Sequence, residues 1–308
     1  MIKSASSQTI DICICTCNRE AYLRQCLEAL MQQSVAGRTQ VTVVDNHSTD
    51  QTAAYVQSLA SATSIIRYVY EPNPGLSQAR NTGWKSSTSD WIFYLDDDCL
   101  PPNGIVTEAL RLIDAMSGMD AFGGPIEPLF EDEPPAWLPE GFGQFSMTYD
   151  QVTPITSGYI RGGCMLIRRS VLDQLSGFNP SFGVEGRTLR YGEEIEFQYR
   201  MRKSGHAIAY APGLKTGHYV RSAKISLRWV LRSEYARRRD KMKIEPVSLL
   251  TATFRLLRTI GGRILWTPIH LLGNLIRSPH LMRKAGYQIL QPLAYSLGEW
   301  IGVIQSSK

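Results

Sequence analysis

The sequence predicts a mixed α/β fold, a mostly parallel sheet flanked on both faces by helices. Two observations point there. Up to residue 220, short apolar segments rich in β-branched and aromatic residues alternate with segments of helical period. In addition, 308 residues with 43% hydrophobic and 20% charged content suffice to bury a substantial core. After residue 220 the character changes to long basic stretches of helical period, so we expect two parts, 1–220 and 221–308.

The elements follow in chain order. TIDICICT (9–16) reads as a strand. AYLRQCLEALMQQ (21–33) reads as a helix, with Leu23, Leu27, Leu30 and Met31 at helical spacing. VTVVD (41–45) is a second strand, and STDQTAAYVQSLA (48–60) opens with capping residues and continues as a helix. IIRYVY (65–70), a Gly-started helix PGLSQARNTGWKSS (74–87), the strand WIFYLDDD (91–98) and the helix PNGIVTEALRLIDAM (102–116) complete the first half. Residues 130–158, rich in Pro, Gly, aromatics and acids, break the rhythm and read as a long functional loop. GGCMLIRR (162–169) resumes as a strand. GEEIEFQYRMRKSG (192–205) is a helix ended by Gly205, and HAIAYAP (206–212) is a last strand with His218 shortly beyond it.

Ligands of open parallel sheets bind beyond the carboxyl ends of the strands. Asp45 ends the second strand and Asp96, Asp97 and Asp98 end the fourth, so their acids are expected at one rim. A single aspartate there is ordinary loop chemistry. Three in a row after a buried strand repel one another, and a divalent cation with oxygen ligands, Mg²⁺ or Mn²⁺, relieves that repulsion. Neither GxxxxGK[ST] nor GxGxxG occurs. Mg²⁺ commonly bridges carboxylates and substrate phosphates, which suits a nucleoside diphosphate joined to a transferable group.

Five motifs then occur in order: CTCNREAYLRQCLEAL, VTVVDNHSTDQT, EPNPGLSQARNTGW, WIFYLDDDCLPP and GEEIEFQYRMRKSGH. Together they resemble family 2 glycosyltransferases of GT-A fold, the Rossmann-like nucleotide-diphospho-sugar transferases, over roughly the first 220 residues. FGVEGRTLRYGEEIEFQYR is similar to the bacterial branch that elongates surface polysaccharides. The resemblance implies a metal-dependent, inverting transfer from a UDP- or GDP-sugar to a glycan or lipid-linked glycan. It implies that Thr16, Asn18, Asp45, Arg80 and Asp96 contact the nucleotide, that Asp98 binds Mn²⁺ or Mg²⁺ with help from His218, and that Glu194 is the catalytic base. Cys17 stands where an aromatic is frequent, Cys164 where Asn often follows the Gly pair, and Glu194 where Asp is usual.

Plainer readings stand beside these. Glu193 and Glu196 suit surface pairing with Arg200 and Lys203, His218 an ordinary surface position, Asp50 a cap and turn, and Trp137 either loop packing or stacking on a sugar. Competing functions are a sugar nucleotidyltransferase, for which CTCNREAY lacks a Gly-rich basic loop, and a non-catalytic membrane-bound glycan scaffold.

The six cysteines lack zinc spacing, and we expect buried, reduced thiols in a cytosolic protein. Neither a secretory signal nor a transmembrane helix is expected. From Arg221 to Lys284 there are 15 Lys/Arg and 3 Asp/Glu, a charge of +12 against −7 for the remainder. No nucleic-acid motif accompanies these charges. Leu227, Val230, Leu231 and Tyr235 mark one helical face; Leu249, Leu256, Leu257, Ile260 and Ile264 mark another opposite Arg255, Arg258 and Arg263. Such helices suit either an anionic membrane surface, on the cytoplasmic side, or packing on the preceding part.

Overall fold

The structure, a computed structural model, describes residues 8–33, 37–185, 188–274 and 279–306. Strands β1 (Ile10–Thr16), β2 (Thr39–Asp45), β3 (Ile66–Tyr70) and β4 (Trp91–Asp96) fall where the apolar runs lie. Helices α1 (Glu20–Met31), α2 (Thr52–Ala62) and α3 (Leu76–Ser86) connect them. Then come β5 (Cys99–Leu100), α4 (Ile105–Ala115), β6 (Ala121–Gly123), β7 (Ile126–Phe130), β8 (Thr153–Pro154) and β9 (Cys164–Arg168). Helices α5 (Arg169–Gln174) and α6 (Glu193–Lys203) precede β10 (Ile208–Tyr210) and β11 (Thr216–Val220). Three helices finish the chain: α7 (Leu227–Ile244), α8 (Leu249–Asn274) and α9 (Pro279–Ser306).

Eight strands form one sheet in the order β3-β2-β1-β4-β9-β6-β10-β8. β3, β2, β1 and β4 are parallel, as is the β6–β10 pair; β9 runs antiparallel between β4 and β6. Alternate side chains along each strand point to opposite faces, and two cores result. Ile10, Ile12, Ile14, Phe93 and Leu95 pack with α1 and α4 on one face. Cys13, Ile92, Tyr94, Met165 and Ile167 pack with α3, α5 and α6 on the other. The two-sided helical cover expected from the alternation is therefore present.

Five strands escaped the sequence reading: β5, β6, β7, β8 and β11. β5, β6 and β8 are two or three residues long, too short for a period to show, and the five-residue β7 and β11 are interrupted by Pro128 and Gly217, which weaken a strand signal. β5, β11 and β7 form a second, three-stranded sheet, so His218 lies within a strand, not beyond one. In the 130–158 segment, Phe145 pairs with Ile126, and Trp137 is buried against Tyr287 of α9, ring centroids 6.3 Å apart. That contact favours a packing role for Trp137.

Of the six cysteines, all free, Cys13, Cys26, Cys99 and Cys164 are buried. Cys17 is exposed, which corrects the expectation of a wholly buried set: it lies past the end of β1, outside the alternation that buries Cys13.

Candidate active site

Register alone brings the first acids together. β1 lies between β2 and β4, with Thr16 opposite Asp45 and Cys15 opposite Asp96, so the three strands end flush at one rim. From Asp96 the chain turns through Asp97 and Asp98 into β5, which pairs antiparallel with β11 so that His218 faces Cys99. The Tyr219 backbone N–H donates to the Asp98 carbonyl at 2.8 Å. His218 Nε2 consequently sits 2.9 Å from Asp98 Oδ1 and 3.9 Å from Asp96 Oδ2.

The three aspartates have different environments. Asp96 is partly exposed, with one oxygen 3.6 Å from Arg80 Nη2. Gly163 backs it so closely that a Cβ there would lie 2.5 Å from Asp96 Oδ2. Asp97 is buried and accepts from Thr16 Oγ1 and Arg19 Nη1, each at 2.8 Å. Burial pushes its carboxyl up to about 6; the Asp98 charge adds to this, and Arg19 opposes it. Asp98 is buried too, yet it is held below the usual carboxylate range. Burial works against its charge, but His218, Lys224 and Arg19 outweigh that. Its Oδ2 is buried and accepts no hydrogen bond, with Lys224 Nζ and Arg19 Nη1 each 3.5 Å away.

That oxygen tests the metal expectation. A buried carboxylate oxygen without a hydrogen bond is a costly feature unless a ligand satisfies it. Asp96, Asp98 and His218 offer ligand atoms within 4.8 Å of one another, the one such group among the described residues. Two carboxylates and one imidazole fit Mn²⁺ or Mg²⁺. His218 is raised above its ordinary value: burial opposes this, but the hydrogen bond and charge of Asp98 prevail.

The remaining expected residues surround this group. The Thr16 hydroxyl is committed to Asp97. Asn18, in the left-handed region at φ 54°, accepts from Thr49 N at 2.7 Å, and its backbone N–H donates to Ser48 Oγ at 2.9 Å. It thereby fixes the loop after β1 to the loop after β2. Asp45 is buried and accepts from Ser48 N and Tyr68 Oη, both at 2.9 Å. Asp50 accepts from Thr52 N at 3.0 Å and from Glu20 N at 3.2 Å, so one side chain caps the starts of α2 and α1.

Arg80 is buried and bridges two elements, 2.8 Å from Glu193 Oε1 and 3.6 Å from Asp96 Oδ1. This corrects the surface-helix reading of Glu193. That side chain is buried against Arg80, and burial together with the adjacent Glu194 charge pushes it up to about 7. Glu196 does form the expected i,i+4 pair, 2.7 Å from Arg200. The half-buried Glu194 carboxylate has no hydrogen-bond or ion-pair partner among the described residues, and it lies within electrostatic reach of Arg161. Of two successive glutamates, one is committed to an ion pair and the other is free.

Sequence reasoning missed Arg19, Lys224 and the pairing of Glu193, and it placed Asp97 at the rim without giving it a role of its own. Arg19 adjoins the assigned Asn18 in the CNRE loop, and its charge was a usable signal for a partner among three aspartates. Lys224 was hidden among the basic residues of the C-terminal part, past the expected boundary at 220.

Comparison with known proteins identifies the fold and the family. The chain is 28% identical over 230 residues to the succinoglycan biosynthesis protein ExoM of Rhizobium meliloti, covering 73% of this chain and 72% of that protein. Among solved structures, the Pyrobaculum calidifontis mannosyltransferase in complex with GDP-Man and Mn²⁺ aligns with TM-score 0.57 at 15% identity. That alignment covers 96% of this chain and 74% of the other. GalNAc-T7 with UDP, GalNAc and Mn²⁺ aligns with TM-score 0.60 at 16% identity, over 78% of this chain and 48% of that one. At such identities the structures establish the fold, which is the GT-A type. The sequence profile of glycosyl transferase family 2 matches residues 11–176, more than half of the chain, and the protein belongs to that family.

Proposed function

We propose that this glycosyltransferase is metal-dependent and inverting, moving a hexosyl group from a UDP- or GDP-sugar to a glycan or lipid-linked glycan in surface polysaccharide synthesis. The observation that carries the reading is the buried Asp98. Its open oxygen lies beside Asp96 and His218, and Arg19 and Lys224 stand ready for a polyanion. The Mn²⁺ bound by the solved neighbours and the name of the Rhizobium relative support it.

Asp96, Asp98 and His218 would hold Mn²⁺ or Mg²⁺, which when bound offsets charge gathering on the leaving nucleoside diphosphate. Arg19 and Lys224 add positive charge on the same side. Thr16, Asn18, Asp45, Arg80 and Asp96 border the nucleotide pocket. Arg80, held by Glu193, fixes the rim beneath Asp96. Glu194, unpaired, accepts the proton of the acceptor hydroxyl as its oxygen bonds to the anomeric carbon. The opposite carbon–oxygen bond breaks, and its electron pair leaves with the diphosphate. Attack opposite the leaving group inverts the anomeric centre.

Residues 1–220 form the catalytic unit in this reading and 221–308 a basic helical region, with Lys224 reaching across to Asp98. A cytoplasmic location agrees with six free cysteines. Calorimetric binding of UDP and GDP, each with and without Mn²⁺, tests the donor site. Metal-dependent binding of one nucleotide is expected, and failure of both removes the assignment. Glu194→Gln should lower kcat by about 10²–10⁴ while nucleotide binding survives; unchanged turnover would take Glu194 out of the mechanism.

A further inference from the structure

The first half of α8 is polar toward α9 and apolar toward solvent. Three of its polar side chains face α9: Arg255 pairs with Glu299 at 2.7 Å, Trp300 Nε1 donates to Thr253 Oγ1 at 3.1 Å, and Thr259 meets Ser296 at 3.0 Å. Leu250, Phe254 and Leu257 are instead 82%, 64% and 63% exposed. Their spacing of four and three residues aligns them in one stripe along the helix. Arg258 adjoins the stripe, exposed and without an ion-pair partner among the described residues. Alongside it runs an open apolar cavity of ≈ 360 Å³, bounded by Leu231 of α7, Leu256 and Ile260 of α8, and Leu290 and Leu297 of α9. Arg228 and Arg232 flank Leu231 on α7, likewise exposed and without ion-pair partners among the described residues.

An exposed aliphatic and aromatic face of this extent marks a contact surface, and its charges select the occupant. Two copies meeting through this face would bring three arginines of each against those of the other, an unfavourable juxtaposition. Lipid phosphates complement them, in a segment whose charge from 221 to 284 is +12. No helix among the described residues is long and apolar enough to cross a membrane, which leaves binding in the plane of the interface. We propose that this face seats the protein on an anionic phospholipid bilayer. Leu250, Phe254 and Leu257 enter the boundary between headgroups and acyl chains, and Arg228, Arg232 and Arg258 engage lipid phosphates. The proposal is independent of the donor chemistry.

The test is co-sedimentation of the full chain with vesicles of phosphatidylcholine alone and of phosphatidylcholine mixed with phosphatidylglycerol, at low and high salt. Binding is expected to the mixed vesicles, weakened by salt, with little to phosphatidylcholine. The combined change Arg228→Ser, Arg232→Ser and Arg258→Ser should lower partitioning by about a hundredfold. Leu250→Ser, Phe254→Ser and Leu257→Ser together should also release the protein, with the circular dichroism spectrum preserved. Absence of wild-type binding to the mixed vesicles would overturn the proposal. So would equal binding to both vesicle types, or a concentration-dependent dimer in velocity sedimentation that the Leu/Phe substitutions dissolve.

Discussion

At the carboxyl edge of the sheet, Arg80, Asp97, Asp98 and Glu193 are buried; Arg80 and Glu193 pair at 2.8 Å, Asp97 lies 2.8 Å from Arg19, and Asp98 lies 2.9 Å from the His218 ring and 3.5 Å from Arg19 and Lys224. On the C-terminal helices, Arg228, Arg232 and Arg258 stand in solvent beside exposed Leu250 and Phe254. The same residue types have opposite physical meanings in the two regions. Desolvating a charge is expensive and is tolerated only with a partner of good geometry. The rim therefore keeps its ions in a fixed arrangement, and the carboxylate oxygen left without a hydrogen bond there, Asp98 Oδ2, suits a ligand. On the helices no acidic partner among the described residues holds Arg228, Arg232 or Arg258, so these three are available to a diffuse charged surface.

The contrast predicts where substitutions hurt. The largest loss should follow Asp98→Ala, since a metal centre supplies several kcal/mol of transition-state stabilisation. Transfer should fall by about 10³ or more, and calorimetry should show nucleotide binding no longer responsive to Mn²⁺. Retained Mn²⁺ dependence would move the metal elsewhere. Next comes Glu193→Ala, which leaves Arg80 buried with only Asp96 at 3.6 Å. Breaking a buried pair in this way costs about 3–5 kcal/mol, readable in a urea unfolding curve; a change below about 1 kcal/mol would show the pair to be dispensable.

A smaller effect separates the metal-free from the metal-loaded rim by pH. The raised His218 value means that the protonated ring stabilises the metal-free fold below about 6.5, and that this contribution is lost as pH rises through the higher folded value. A metal needs the neutral ring, so Mn²⁺ affinity should weaken as pH falls through that value, by up to about tenfold per unit. A flat affinity from pH 8 to 5.5 would exclude His218 as a ligand. The smallest effect belongs to the helices. Leu250→Ser or Arg258→Ser in the absence of membranes should alter stability by no more than about 0.5 kcal/mol, and a larger drop would mean that these side chains pack.

How far the site can be read from sequence depends on how local its determinants are. Asp45 and Asp96 at one rim followed from strand ends and parallel order, both short-range properties. Glu193 against Glu194 did not. Helical period places both near the start of α6, and Arg80 from α3 decides which one is buried. His218 was assignable by resemblance, but its contact with Asp98 depends on β11 pairing with a two-residue strand that no period reveals. Lys224 is one of many basic residues until the turn at 222–224 brings it to Asp98.

The sequence by itself thus determined the alternating α/β order, the two faces of each strand, the acid-bearing strand ends and the basic composition after residue 220. These follow from backbone geometry and side-chain period acting over a few residues. Tertiary structure alone decided which carboxylate is paired and which is free, which oxygen is left open, and that α8 turns Leu250, Phe254 and Leu257 outward. Each of those depends on the desolvation of a group by neighbours distant in the chain, and no local pattern encodes it.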